Sequence, residues 1–171
     1  ITTVSGNGAT TVTVARTYEE HRDLLTSISN SAGTNMISAF NYQNDSLGRR
    51  TQRLDALGSL PLALGTNDFL YNLRSELTNA LVRRSLGEGG WETNSFGYQF
   101  DPIGNRTTSQ TGTAAATEYT ANEANQYTET ANPATTFGYT RGNLTSVITN
   151  GATNIYSWWN GGENLQYISR E

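Results

Sequence analysis

Alternate positions along this chain carry aromatic rings in short runs. Each run leads into a polar turn and then a leucine or arginine followed by threonine. The clearest copy is Phe96-Gly97-Tyr98-Gln99-Phe100-Asp101-Pro102-Ile103-Gly104-Asn105-Arg106-Thr107. A period of two puts Phe96, Tyr98 and Phe100 on one face of a strand. Asp101-Pro102-Ile103-Gly104 has the composition of a type I turn, with Asp first, Pro second and Gly fourth. Glycine takes a left-handed backbone without a Cβ penalty, so the hairpin is expected to close through a bulge. Asp45-Ser46-Leu47-Gly48 has the same plan, and Asn122-Glu123-Ala124-Asn125 places Asn, another residue tolerant of positive φ, at the fourth position. The returning strand alternates threonine with apolar residues, as in Leu144-Thr145-Ser146-Val147-Ile148-Thr149. Each block predicts a β-hairpin with one aromatic face. In series they predict an all-β fold, a long twisted antiparallel sheet with Tyr42, Tyr71, Tyr98, Tyr119 and Tyr139 in a column.

Seven copies span residues 1–171 as one β-repeat array, starting near 16, 40, 69, 96, 118, 137 and 155. Units of this size need their neighbours to bury an apolar face. One copy carries a competing signal. Leu70, Leu73, Leu77 and Leu81 have helical spacing, whereas the repeat register over 69–82 favours strand. Ser59–Gly65 and Gly87–Gly90 read as loops between units.

Composition narrows the chemistry. Hydrophobic residues make up 35% and charged residues 15% of the 171 positions, below a typical soluble domain, while aromatics at 10% argue against a disordered polar tract. There is no cysteine, so disulfides, thiolate metal sites and a cysteine nucleophile are excluded. A single histidine, His21, cannot build a multi-histidine zinc centre. Net charge is −4, and the eleven basic residues, all arginine, are scattered, which argues against nucleic acid. No apolar run reaches the ~18–20 residues of a membrane span. The chain begins at Ile1, with no leader pattern, and is expected to be a fragment of a longer protein.

Gln99-Phe100-Asp101-Pro102-Ile103-Gly104-Asn105-Arg106-Thr107 resembles the Tyr-Asp-x-x-Gly-Asn-Arg-Thr signature of the Rhs, or YD-repeat, family. Tyr119 to Thr128 is similar to a second family segment, and Tyr156-Ser157-Trp158 with Glu163-Asn164-Leu165 to a third. The resemblance covers residues 16–168 and departs from the pattern at Tyr71-Asn72, Ser75, Tyr139-Thr140 and Trp159-Asn160-Gly161-Gly162. It implies a spiralling β-sheet that closes into a hollow shell, which holds a toxic polypeptide in bacterial toxins of this kind. Seven copies are too few to close such a shell. The residues expected to carry the repeat, as structure rather than catalysis, are Tyr18, Tyr42, Asp45, Gly48, Tyr71, Tyr98, Asp101, Gly104, Tyr119, Asn125, Tyr139, Gly142 and Trp158.

Other chemistry reads more simply as structure. His21 with Asp23 and a serine suggests a triad on paper, yet no Gly-x-Ser-x-Gly elbow is present, and a solvated turn histidine is the better reading. Glu19-Glu20 lacks an apolar pocket. Gly6-Asn7-Gly8 and Gly87-Glu88-Gly89-Gly90 lack the Lys-Ser/Thr of a phosphate loop. Asn44-Asp45-Ser46, Asn105-Arg106-Thr107 and Asn143-Leu144-Thr145 match the N-glycosylation pattern, the last two within the repeat signature itself. Trp158 and Trp159 are candidate glycan contacts, with packing the favoured role. The expectation is a non-catalytic module without cofactor or metal. It belongs to a secreted or cell-surface bacterial protein and contacts neighbouring repeats, other copies of itself, an enclosed polypeptide or a glycan. The alternative is a self-assembling or adhesive filament.

Overall fold

A computed structural model describes residues 2–5, 11–57, 65–87, 89–159 and 164–170. Fifteen strands and no helix lie among the described residues. They are β1 (Thr2–Ser5), β2 (Thr11–Tyr18), β3 (Leu25–Ala32), β4 (Asn35–Asn44), β5 (Arg50–Leu57), β6 (Gly65–Tyr71), β7 (Leu77–Gly87), β8 (Gly90–Phe100), β9 (Arg106–Thr111), β10 (Thr117–Ala121), β11 (Tyr127–Thr130), β12 (Thr135–Thr140), β13 (Asn143–Thr149), β14 (Ala152–Trp159) and β15 (Asn164–Arg170). The chain divides into two compact units, Ile1–Phe96 and Gly97–Glu171, with the boundary inside β8. In the first, β1 to β7 pair in chain order; in the second, β9 to β15 do. Every one of these pairs is antiparallel, so the all-β class expected from the alternating pattern holds. No helix among the described residues is long and apolar enough to cross a membrane.

Four turns share one five-residue architecture. In 45–49, 72–76, 101–105 and 122–126 the first residue's N–H donates to the fifth residue's carbonyl, at 2.8–3.0 Å. The fourth residue's N–H donates back to the first carbonyl, at 2.9–3.2 Å. The fourth residue is left-handed in each: Gly48 at φ +81°, Ser75 at +65°, Gly104 at +94° and Asn125 at +58°. The strands slip by one residue beside three of these turns, between Gln43 and Asn44, Leu70 and Tyr71, and Thr120 and Ala121. Two shorter turns, Arg141–Gly142 and Asn150–Gly151, have both central residues left-handed, matching strand twist in a two-residue hairpin.

The helical spacing over 69–82 yields to this turn chemistry. Asn72 and Ser75 close a turn between β6 and β7. Leu70 is exposed, and Leu73 at the tip is entirely so, leaving no apolar stripe for a helix to bury. Burial is sparse throughout. Ala80 and Thr135 are the buried side chains among the described residues, with Gly65 alongside them, and no large side chain there is fully enclosed. Residues 1, 6–10, 58–64, 88, 160–163 and 171 lie outside the described residues. The loop readings at Gly6-Asn7-Gly8 and through most of Ser59–Gly65, and part of that at Gly87–Gly90, fall there.

Ser75 is the one bulged-turn position where a side chain other than Asn meets the left-handed penalty. Replacing Ser75 with Gly is expected to raise stability by ~0.5–1 kcal/mol in chemical denaturation. Gly104→Val places a β-branched residue at φ +94° and is expected to cost about 1–3 kcal/mol. An unchanged denaturation midpoint for Gly104→Val would show that the bulged turn does not govern this hairpin.

Candidate functional site

The chemistry-bearing side chains of the repeat converge on the rim of turns. In each five-residue turn the first side chain accepts two backbone N–H bonds through one oxygen. Asp45 Oδ1 takes those of Leu47 and Arg49 at 3.0 and 2.9 Å. Asn72 Oδ1 takes Arg74 and Glu76 at 2.9 and 3.1 Å. Asp101 Oδ1 takes Ile103 and Asn105 at 3.0 and 2.8 Å, and Asn122 Oδ1 takes Ala124 and Gln126, both at 3.0 Å. The fifth side chain then answers the first atom for atom. Arg49 Nε donates to Asp45 Oδ2 at 2.7 Å, and Asn105 Nδ2 to Asp101 Oδ2 at 2.9 Å. Where Asn opens the turn, its own amide donates, Asn72 to Glu76 at 2.6 Å and Asn122 to Gln126 at 3.1 Å. The sequence pattern singled out the first and fourth positions and missed this fifth one. Its signal is a pairing rule: a donor answers Asp, an acceptor answers Asn.

Turns also hold one another. Arg22 Nη1 donates to the carbonyls of Asp45 and Ser46, at 2.8 and 3.2 Å, and Arg49 Nη1 to the Asn72 carbonyl at 3.0 Å. In the second unit the same links are neutral: Asn105 Nδ2 to Asn125 Oδ1 at 3.2 Å and Gln126 Nε2 to the Gly142 carbonyl at 2.9 Å. One step inside the rim, aromatic side chains make a second set of ties. Tyr71 donates its hydroxyl to the carbonyl of Arg50, the first residue of β5, and Tyr139 to that of Tyr127, the first residue of β11, both at 2.9 Å. Trp158 Nε1 does the same to Leu144 at 2.6 Å. Tyr127 accepts from the Arg106 N–H at 2.9 Å.

The expected column of tyrosine rings is corrected by the arginines between them. The Arg50 guanidinium lies 3.8 Å from the Tyr42 ring centre, and Arg49 lies 4.9 Å from that of Tyr71. Arg106 sits between Tyr98 and Tyr119, at 5.9 and 4.5 Å. Among the described residues the ring pair in contact is instead Tyr119–Tyr127, 5.2 Å apart and tilted by 52°. The reason is register. Tyr42, Tyr98 and Tyr119 stand three residues before their turns, whereas Tyr71 stands one before, so they cannot form one uniform stack. The buried Nε atoms of Arg50 and Arg106 have no hydrogen-bond partner among the described residues, as expected for guanidiniums held by ring faces.

The remaining candidates are placed as follows. Tyr18, which ends β2, is exposed. His21 is exposed beside Glu20, its Nε2 3.8 Å from the carboxylate. Asn44 Nδ2 is engaged by Glu19 at 3.2 Å, and the Asn105 amide by its turn, so two of the three sequons serve hairpin contacts. Trp158 is half-buried with its N–H bonded to the Leu144 carbonyl; the side chain of Trp159 lies outside the described residues. Among the described residues no group of three or more histidines and acids is placed to hold a metal.

Desolvation pushes the Asp45 carboxyl up. The Arg49 side-chain and backbone bonds, the Arg49 charge and the Leu47 N–H outweigh it and hold the group below its ordinary 3.8. Asp101 is likewise lowered, desolvation being outweighed by the Asn105 amide and by the N–H groups of Asn105, Ile103 and Gly104.

No family model matches the chain, and no curated protein matches it. Solved structures do. The crystal structures of TcdB2-TccC3-TEV and TcdB2-TccC3-Cdc42, toxin-complex chains, overlay 93% of this chain with TM-scores of 0.57 and 0.58 at 14% and 15% identity. The chain spans about a tenth of their length, 11% and 10%. At such identity the likeness is one of fold. A porin-like protein from Bacteroides uniformis overlays with a TM-score of only 0.31 and carries no weight.

Two outcomes test the ties. Tyr71→Phe keeps the ring under Arg49 but removes the bond to Arg50, and should cost ~0.5–1.5 kcal/mol in urea unfolding. A lowered carboxyl contributes stability that is complete above its unfolded pKa and lost as pH falls through its folded one. The contributions of Asp45 and Asp101 should therefore disappear as pH drops below about 3.8. Urea midpoints measured from pH 5 downward should fall less steeply for Asp101→Asn than for the wild type.

Proposed function

We propose that this chain is a segment of an Rhs-type repeat array. In this reading it is a non-catalytic structural module, forming part of a β-shell that encloses or displays a polypeptide in a large secreted or surface protein of bacteria. The observation that carries the reading is the recurrence of one turn design in both units, with side chains that lean on the next hairpin and almost no core beneath them. Such hairpins are stabilised by what lies beside them, which suits a long array better than a self-contained enzyme. The Asp101 to Thr107 signature and the overlay on the toxin-complex chains support the same assignment. Polar residues at the repeat positions are engaged in turn and hairpin bonds, and the single histidine lies exposed in a turn. The module works without a cofactor, and its partners are adjoining repeats and the polypeptide they surround.

A filament or adhesive role is the second reading, favoured by β15. Leu165, Tyr167 and Ile168 are exposed there on both faces of the last strand. A strand of this kind is a template for another strand.

Both readings predict that the isolated chain associates through its terminal strands. Light scattering over a concentration series should show growth beyond the 18.6 kDa monomer, reduced by Tyr167→Lys on β15, with the central hairpins still folded. A strictly monomeric wild type at high concentration would overturn the array reading. It would point to a self-contained module.

A further inference from the structure

We propose that the aromatic face of the first unit holds a binding site for a small apolar carboxylate, seated over Gly65 where β4 to β7 run side by side. A cavity of about 310 Å³ opens there, with Phe40, Ala56 and Val82 as apolar walls and Arg53, Asp55 and Arg84 as charged ones. That volume is at the small end of ligand sites, the size for an amino-acid-sized molecule.

Gly65 makes the hollow. It is buried at the start of β6, and a Cβ built on it would stand 3.1 Å from the Arg83 carbonyl and 4.0 Å from Asp55. The repeat does not demand this glycine: the residues seven before the other bulged turns are Ser38, Asn94 and Ala115. The notch is thus particular to this hairpin. Register brings the walls together, since Phe40 is opposite Asp55, Asp55 is opposite Gly65, and Gly65 is opposite Arg84.

Charge decides the ligand. Arg53 grips both oxygens of Asp55, Nε to Oδ1 and Nη2 to Oδ2, each at 2.6 Å, and lies 5.5 Å from the Phe40 ring centre. Arg83 turns its guanidinium to Asp68, at 3.3 Å. Arg84 makes no ion pair among the described residues and is exposed at the cavity wall. One net positive charge therefore remains beside an apolar hollow. A planar guanidinium matches a carboxylate through two parallel N–H bonds, while the ligand's apolar body sheds water against Phe40, Ala56 and Val82. This site does not depend on the array reading, because its walls belong to one unit and its glycine is not a repeat position.

The test is a titration of the whole 15N-labelled chain with N-acetyl-phenylalanine, followed by amide shifts, with N-acetyl-phenylalaninamide as the uncharged control. The acid should move the Gly65, Val82 and Arg84 signals saturably and bind more tightly than the amide. Arg84→Gln should weaken the acid by about two- to fivefold, the range of an exposed ion pair, and leave the amide unaffected. Arg141→Gln, in the other unit, should change neither. Gly65→Ala should reduce binding of both by filling the hollow, and an unchanged thermal midpoint for Arg84→Gln keeps the comparison interpretable. Equal binding of acid and amide, indifference to Arg84→Gln, or shifts scattered away from this face would each overturn the proposal.

Discussion

A sheet with almost nothing buried against it must be held together sideways. Ordinary domains place large apolar side chains between two layers, and that burial offsets the entropy of ordering the chain. Among the described residues no large side chain is fully enclosed, so cohesion within each unit falls to bonds between neighbouring hairpins. The backbone ladder supplies one set. The ties from Tyr71, Tyr139 and Trp158 to the first or second residue of the preceding return strand supply another, and the turn-to-turn links from Arg22, Arg49, Asn105 and Gln126 supply a third. Each of these side-chain ties crosses from one hairpin to the next, so an isolated hairpin would make none of them. This is the physical sense in which the fold is an array.

The arginine-only basic content fits the same demand. A guanidinium is planar and weakly hydrated, and it presents several donors at fixed angles. Arg49 uses this fully: one nitrogen grips Asp45 within its own turn, another reaches the carbonyl of Asn72 in the next, and the plane rests near Tyr71. Arg50 instead lies over the Tyr42 ring and Arg106 between those of Tyr98 and Tyr119, each with its Nε buried. A lysine ammonium could not serve these contacts together. The two units then diverge in character. Guanidiniums tie turn to turn in the first, and side-chain amides do so in the second.

How much of this was legible beforehand differs by residue. The bulged turns could be read from Asp45 to Gly48 and Asp101 to Gly104, because left-handed backbone restricts the residue type so strongly. Ser75 could not be read with the same assurance. It occupies the same conformation at a residue that does not advertise it, and the leucines around it keep helical spacing. The fifth turn position was hidden for another reason: Arg49, Glu76, Asn105 and Gln126 share no chemical class. What they share is complementarity to the residue four before, which shows only when the turn brings the two side chains together.

The order of strands and the hairpin design were determined by the sequence alone, since both follow from short-range periodicity and turn chemistry. What faces what was decided only by the tertiary structure. A bulge advances one strand by a single residue relative to its partner, and that step sets which side chains meet on a face. Because of it, Arg50 reaches Tyr42 across the turn, and Tyr71 reaches a carbonyl on the neighbouring hairpin instead of another ring. The hollow over Gly65 has the same origin. Phe40, Asp55, Gly65 and Val82 are remote in the chain and gain meaning only through the register of β4 to β7. Local rules specify each hairpin, but the pairing of one hairpin with the next is a long-range choice, settled by the sum of ties along their shared edge.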